Sequence, residues 1–335
     1  MCKKIILRFF LFLFLIIILL IIFVNYIIDP KMENNYFRHS FNEKKFDFGF
    51  YSSFVMYDKL KNDKYVLVFG TSRTGRLGKD SIKDNVLNFS TSLYGYPEKV
   101  YNFLSKLDEK QILNITKVFY LIDFHTFGKS LGETNMVYGD FFLKNVYSMY
   151  TFNQNKIWSA ISTTQKNILG DTNKYISEFG YEIVDEELDF IPEKSTGDIR
   201  LYRTVVLDKV SYSDKQFEYL EKIDIFSKKH NIKVKYFTPV FNDIFFKAIY
   251  ERGFFDIYIS KVLNKIDKLY SFLYMDNISN DNKYFFDVGH YKMEVQNLMI
   301  KNMENENSEY VLNKLNKDDY LEKLKKINTN LKVEW

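Results

Sequence analysis

Cysteine is almost missing from this chain: of 335 residues only Cys2 carries a thiol. An intrachain disulfide is impossible, and no cysteine-based zinc or iron–sulfur site can be assembled. Histidine is scarce too. The four are His39, His125, His230 and His290, and none is closely spaced with another. Metal-ligand spacing is therefore lacking and no metal is expected. No Gly-x-Gly-x-x-Gly occurs. Gly70 and Gly75 have the spacing of a phosphate loop, but Arg76-Leu77 stands where Lys-Ser/Thr is required,. No cofactor is expected. Net charge is only +4, with both signs interspersed. A nucleic-acid binder concentrates its basic residues on one face, so no nucleic-acid partner is expected.

What the chain does hold is apolar and aromatic: 46 % hydrophobic residues, with 33 Phe and 26 Tyr. That is enough to bury a substantial core. One apolar run stands apart. Lys3, Lys4 and Arg8 precede Phe9–Val24, which continues less purely to Ile28. About 20 apolar residues cross a bilayer. Positive charge before the run places the N-terminus, residues 1–8, in the cytoplasm and the body outside it,. A cleaved signal peptide is the alternative. The bulky Phe23-Val24-Asn25-Tyr26 offers no small-residue cleavage site, so an uncleaved anchor over 9–28 is the reading taken,. Cys2 precedes the run and is not a lipoprotein attachment site.

Residues 29–64 read as a membrane-proximal linker. Elements then alternate. Tyr65–Phe69, Val86–Phe89, Lys117–Ile122, Lys233–Pro239 and Phe272–Met275 read as strands,. Pro97–Leu107, Asp214–His230, Asp256–Tyr270 and Lys292–Met303 read as helices, the first opened by a proline suited to a first turn,. Over about 124–213 the alternation fails, which marks a long insertion. The charged C-terminal tail, 304–335, reads as a solvated helix or a partly disordered end. Strands alternating with helices predict an α/β fold with a parallel sheet covered on both faces. Sites in such folds form at the C-terminal ends of the strands. Gly70–Ser72, Asn88–Ser92, Asp123–His125 and Thr238-Pro239 all fall there.

Ser72 sits where the first strand gives way to a turn. Its hydroxyl can stand above the sheet edge, with following backbone N–H groups open to an oxyanion. The alternative is a helix-capping serine. Of the histidines, His290 lies three residues after Asp287, and a late Asp/His pair can reach a serine at the head of the first strand. His39 lies too near the membrane segment, and His230 ends a helix as a cation would. His125 can contact substrate or be structural. Arg73 can face solvent or steady an anionic substrate. Asn88 can cap its turn or orient the site loop.

Together, Gly70-Thr71-Ser72-Arg73, Asn88-Phe89-Ser90 and the closing Asp287-Val288-Gly289-His290 resemble the SGNH (GDSL-like) hydrolase superfamily. Within it the chain is most similar to the membrane-anchored, DltD-like branch. The resemblance covers 65–303. It implies a flavodoxin-like three-layer sheet and a Ser72–His290–Asp287 triad. It further implies an oxyanion donor near Ser92–Gly95 or from Asn88. The third block, which in the family ends in Gly-x-Asn-Asp, is here Ile122-Asp123-Phe124-His125 and lacks the asparagine. The implied activity is hydrolysis or transfer of O-acyl groups on a cell-envelope polysaccharide at the periplasmic face, with an acyl-transferring membrane protein as a possible partner. The alternative is a degenerate domain of the same type that binds a glycan or lipid-linked polymer in an assembly or export complex.

Overall fold

A computed structural model describes residues 2–24, 52–90, 95–128, 154–169, 174–177, 181–184 and 211–332. The strands in these segments are β1 Tyr65–Phe69, β2 Val86–Asn88, β3 Ile115–Leu121, β4 Lys174–Ile176 and β5 Glu182–Val184. They continue with β6 Val234–Phe237, β7 Leu269–Tyr270, β8 Phe285–Asp287, β9 His290–Tyr291 and β10 Val311–Leu312.

The chain divides into two compact units, Met1–Lys59 with Asn135–Asp185, and Leu60–Thr134 with Glu186–Trp335. In the first, the helix Cys2–Ile22 contains one stretch, Lys4–Ile22, long and apolar enough to cross a membrane. The same unit holds the helices Ser52–Lys59 and Gln154–Leu169 and the antiparallel pair β4–β5. The helix Gln154–Leu169 and the pair β4–β5 fall inside the anticipated insertion.

The second unit is built on a six-stranded sheet in the order β10-β7-β6-β3-β1-β2. All neighbours are parallel except β10, which runs antiparallel to β7. All five residues of β1 are buried. A strand covered on both faces needs such a continuous apolar run. Val66 and Val68 turn to one side, where Phe119, Leu121 and Phe237 join Val295, Met299 and Met303 of the helix Met293–Glu304. Phe69 turns to the other side. Its ring stacks on Phe89 at 5.2 Å and meets Phe103 of the helix Pro97–Leu104 edge-on at 5.8 Å.

Several elements end where local chemistry stops them. The short helix Glu109–Leu113 starts at a capping box, in which Asp108 accepts from Gln111 N and Gln111 accepts from Asp108 N. The helix expected over Asp256–Tyr270 runs instead over Phe254–Leu263, and Leu269–Tyr270 is strand β7. The strand expected at Phe272–Met275 is a buried connection. Its first amide, Phe272 N, donates to the Thr238 hydroxyl at 2.7 Å instead of to a neighbouring strand. An apolar run reports burial, and only the neighbour decides the ladder.

A helix not anticipated, Asp243–Tyr250, is capped by the Asn242 side chain accepting from Ile244 N at 2.9 Å. Residues 304–332 bear out the helix reading of the charged tail, but the helix is anchored on the sheet's unit. They supply β10 and the helix Lys317–Asn330, whose Leu324 is buried and whose Tyr320 hydroxyl lies 2.8 Å from Ser271 Oγ.

Candidate functional site

The C-terminal end of β1 leads into a single 3-10 turn, Ser72–Thr74. Thr71 takes extended geometry, and Thr74 N and Gly75 N close the turn on Thr71 O and Ser72 O. Ser72 is left exposed on its crest. From 218 residues away along the chain, His290 brings Nε2 to within 2.8 Å of Ser72 Oγ. His290 opens β9, the second strand of a tight antiparallel pair with β8. Asp287 ends β8, and both of its oxygens approach His290 Nδ1, at 2.9 and 2.8 Å.

The Asp287 carboxylate is itself held. Its Oδ1 accepts from Gly289 N at 2.7 Å and from His290 N at 2.8 Å. Burial pushes this carboxyl up, but the His290 hydrogen bond and charge and the two backbone donors outweigh it, leaving the pKa below its ordinary value,. An ionised carboxylate at Nδ1 keeps the proton on that nitrogen. Nε2 is then free to accept from the serine hydroxyl. The Phe286 ring lies nearly parallel to the imidazole at 5.5 Å, and the Arg76 guanidinium covers Phe286 at 4.5 Å. Hydroxyl, imidazole and carboxylate in series are the parts required for nucleophilic catalysis.

Below this row lies a second, buried set of charges. Asp123, at the end of β3, is fully buried. Its Oδ2 pairs with Arg73 Nη1 and accepts from Thr71 Oγ1 at 3.2 Å. Arg73 Nε donates to Gly289 O at 2.6 Å. Arg73 is only 7 % exposed, so its solvent-facing alternative is excluded. His125 Nδ1 lies 2.8 Å from Asp123 Oδ1, off the direction of a well-formed hydrogen bond. Burial alone would push the Asp123 carboxyl up. The Arg73 charge, then His125, reverse that and hold it well below the usual carboxylate range. The imidazole of His125 stays partly accessible, with 20 % of its side chain exposed.

Asn88 sits differently. It is fully buried, and its amide donates to Thr74 O at 2.7 Å and Leu77 O at 2.9 Å. Its carbonyl accepts from Ser90 N at 2.9 Å. It therefore shapes the turn after Ser72, and its donors are committed to backbone. Ser92 lies outside the described residues. Gly95 does come to the turn. A Cβ placed there would meet Gly70 O at 2.9 Å and Thr71 Cγ2 at 3.0 Å. The Tyr120 hydroxyl fixes Gly95 by donating to its carbonyl at 2.9 Å. Among the described residues, neither the Ser72 N–H nor the Gly95 N–H donates to a protein acceptor.

Sequence reasoning picked out the triad candidates but missed Asp123 and Thr71 as a support beneath them. The available signal was a carboxylate closing the most apolar strand of the chain. Among the described residues, no group of three or more His, Cys, Asp or Glu could hold a metal ion. No family model, curated protein or solved structure matches the chain.

Proposed function

We propose that this chain is a membrane-anchored serine esterase or O-acyltransferase of SGNH type, working through Ser72, His290 and Asp287. The observation that carries the reading is the unbroken contact from Ser72 Oγ to His290 Nε2 at 2.8 Å and from His290 Nδ1 to Asp287 at 2.8 Å. The strand order is a further support. From β2 through β1, β3 and β6 to β7 it follows the flavodoxin-like doubly wound arrangement, with the antiparallel β10 added at the edge,.

In the proposed reaction His290 removes the proton from Ser72, and Oγ bonds to the acyl carbon. The carbonyl oxygen becomes an oxyanion, stabilised by the N–H groups of Ser72 and Gly95. Collapse breaks the ester bond, and the proton on His290 passes to the leaving oxygen. Water or a sugar hydroxyl then attacks the acyl-serine with His290 again as base, and Ser72 is restored. Lys3, Lys4 and Arg8 before the apolar helix favour an extracytoplasmic body,. With that placement and the family resemblance, the substrate is an O-acylated envelope polysaccharide.

The second reading is a binding domain that has lost catalysis. It is favoured by the third block, Ile122-Asp123-Phe124-His125, lacking the asparagine that the family supplies. The test is fluorophosphonate labelling and activated acetyl-ester turnover of the full chain in detergent. Labelling and turnover lost in both Ser72→Ala and His290→Ala support the enzyme. A folded wild type that neither labels nor turns over supports the binding domain. Labelling that survives Ser72→Ala refutes the choice of serine.

A further inference from the structure

Arg73 follows the nucleophile candidate directly, and Gly289 precedes the base candidate directly. One side chain links them. Arg73 Nε donates to Gly289 O at 2.6 Å while Nη1 pairs with Asp123. Asp123 in turn holds Thr71, on the other side of Ser72, through Thr71 Oγ1 at 3.2 Å. The guanidinium is thus bonded to the β8–β9 turn and to the end of β3 from a residue on the β1 turn. The rings of Phe241 and Phe245 each lie 5.5 Å from its Cζ. Both rings pack against the guanidinium.

Stability alone accounts poorly for this arrangement. Burying two charges costs desolvation that their attraction only partly repays, and well-packed apolar substitutes are often as stable. An amino group could not do the same work. A guanidinium presents several donors in a rigid fork, whereas an ammonium is a point charge on a flexible stem. The fork sets a distance. With Nε on Gly289 and Nη1 on Asp123, the turn carrying His290 and the turn carrying Ser72 are locked in one spacing.

We propose that Arg73, seated on Asp123, is a positioning residue that sets the reactive Ser72–His290 separation. This rests on the serine-esterase reading above. It assigns Arg73 no contact with substrate. Its contribution is to hold the base and nucleophile in attacking geometry.

The test compares wild type, Arg73→Lys and the charge-neutral double variant Arg73→Met/Asp123→Asn, each as the full chain in detergent. Turnover of the acetyl ester is measured per active site titrated with fluorophosphonate. A displacement near 1 Å in a catalytic constellation costs about 100-fold in rate. Both variants are expected to lose roughly that factor in kcat per titrated site, with KM within about twofold of wild type and an altered pH–rate profile. A merely structural role would lower the number of titratable sites and leave kcat per site and the profile unchanged. That result overturns the proposal. If Arg73→Lys fails to fold, the double variant decides, because it leaves no uncompensated charge.

A wild type that does not label at all refutes the esterase reading instead. The positioning claim is then judged by the imidazole 15N resonances of His290. A change in the double variant supports the link between the two turns, and no change overturns it.

Discussion

Replacing Asp287 by asparagine tests the orientation of the base with almost no change in shape. The outcome follows from which atoms are already committed. Asp287 Oδ1 accepts two backbone donors, from Gly289 and His290, at 2.7 and 2.8 Å. An asparagine must keep its oxygen at that position, since an NH2 group there would face two N–H groups. Its NH2 then occupies the place of Oδ2, 2.8 Å from His290 Nδ1. The retained Oδ1 also lies 2.9 Å from Nδ1 but already accepts two backbone N–H groups, so the nearer NH2 favours Nδ1 as acceptor and the ring proton on Nε2. That nitrogen lies 2.8 Å from Ser72 Oγ and can no longer take its proton.

The same change in a Ser-His-Asp protease leaves the geometry intact and lowers kcat by about 10⁴ through the wrong tautomer. We expect a loss of that order in ester turnover and in the rate of fluorophosphonate labelling. It corresponds to about 5.5 kcal/mol of transition-state stabilisation, at ~1.36 kcal/mol per tenfold. Thermal stability should change little, because the Asp287 side chain is 39 % exposed and its backbone acceptor is retained. The assay is turnover per titrated site for wild type and Asp287→Asn, with melting followed in parallel. A folded variant within about tenfold of wild type would refute the argument that Asp287 fixes the tautomer.

Gly95→Ala pushes a methyl against Gly70 O at 2.9 Å and Thr71 Cγ2 at 3.0 Å, so the Ser72 turn must shift. Labelling should fall by about 100-fold while the protein stays folded, as read by labelling kinetics and circular dichroism. Asn88→Ala strips the hydrogen bonds from the carbonyls of Thr74 and Leu77, both bonded to the buried amide. A loss of roughly 2–4 kcal/mol in urea unfolding is expected, since buried groups left unpaired are costly. Asp123 should make the fold acid-sensitive. Its carboxyl is held well below the usual range when folded. The stability it contributes is therefore complete above the unfolded value of about 3.9 and drains away as pH falls toward the folded one. Urea midpoints between neutral and acid pH should fall more steeply in wild type than in Asp123→Asn, and equal slopes would refute this.

Much of the layout was legible because it depends on local patterns. A five-residue apolar run followed by Gly70-Thr71-Ser72 can hardly be other than a buried strand entering a turn, and β1 spans Tyr65–Phe69 with every residue buried. The helix Asp214–Lys229 matches the spacing of Phe217, Leu220 and Ile223, all buried. The apolar helix at the N-terminus needs no tertiary information, because its length and composition alone meet the requirement for crossing a bilayer,. Asp287 and His290 were also readable as a pair, since they lie three positions apart and a tight turn brings such neighbours together.

What the sequence could not carry was any distance between remote segments. Nothing local in Phe272–Met275 tells a strand from a buried connection, because both need apolar side chains, and the choice fell to the hydrogen bond from Phe272 N to Thr238. The charged stretch after Glu304 has the composition of a solvated helix or a disordered end. Pairing with β7 nevertheless made Val311-Leu312 the edge of the sheet. Arg73 is the clearest case. By composition a charged residue in a turn belongs in solvent. Only the tertiary structure brings Asp123 and the Gly289 carbonyl to it from two other parts of the chain, and an ion can be buried only where such partners replace its water.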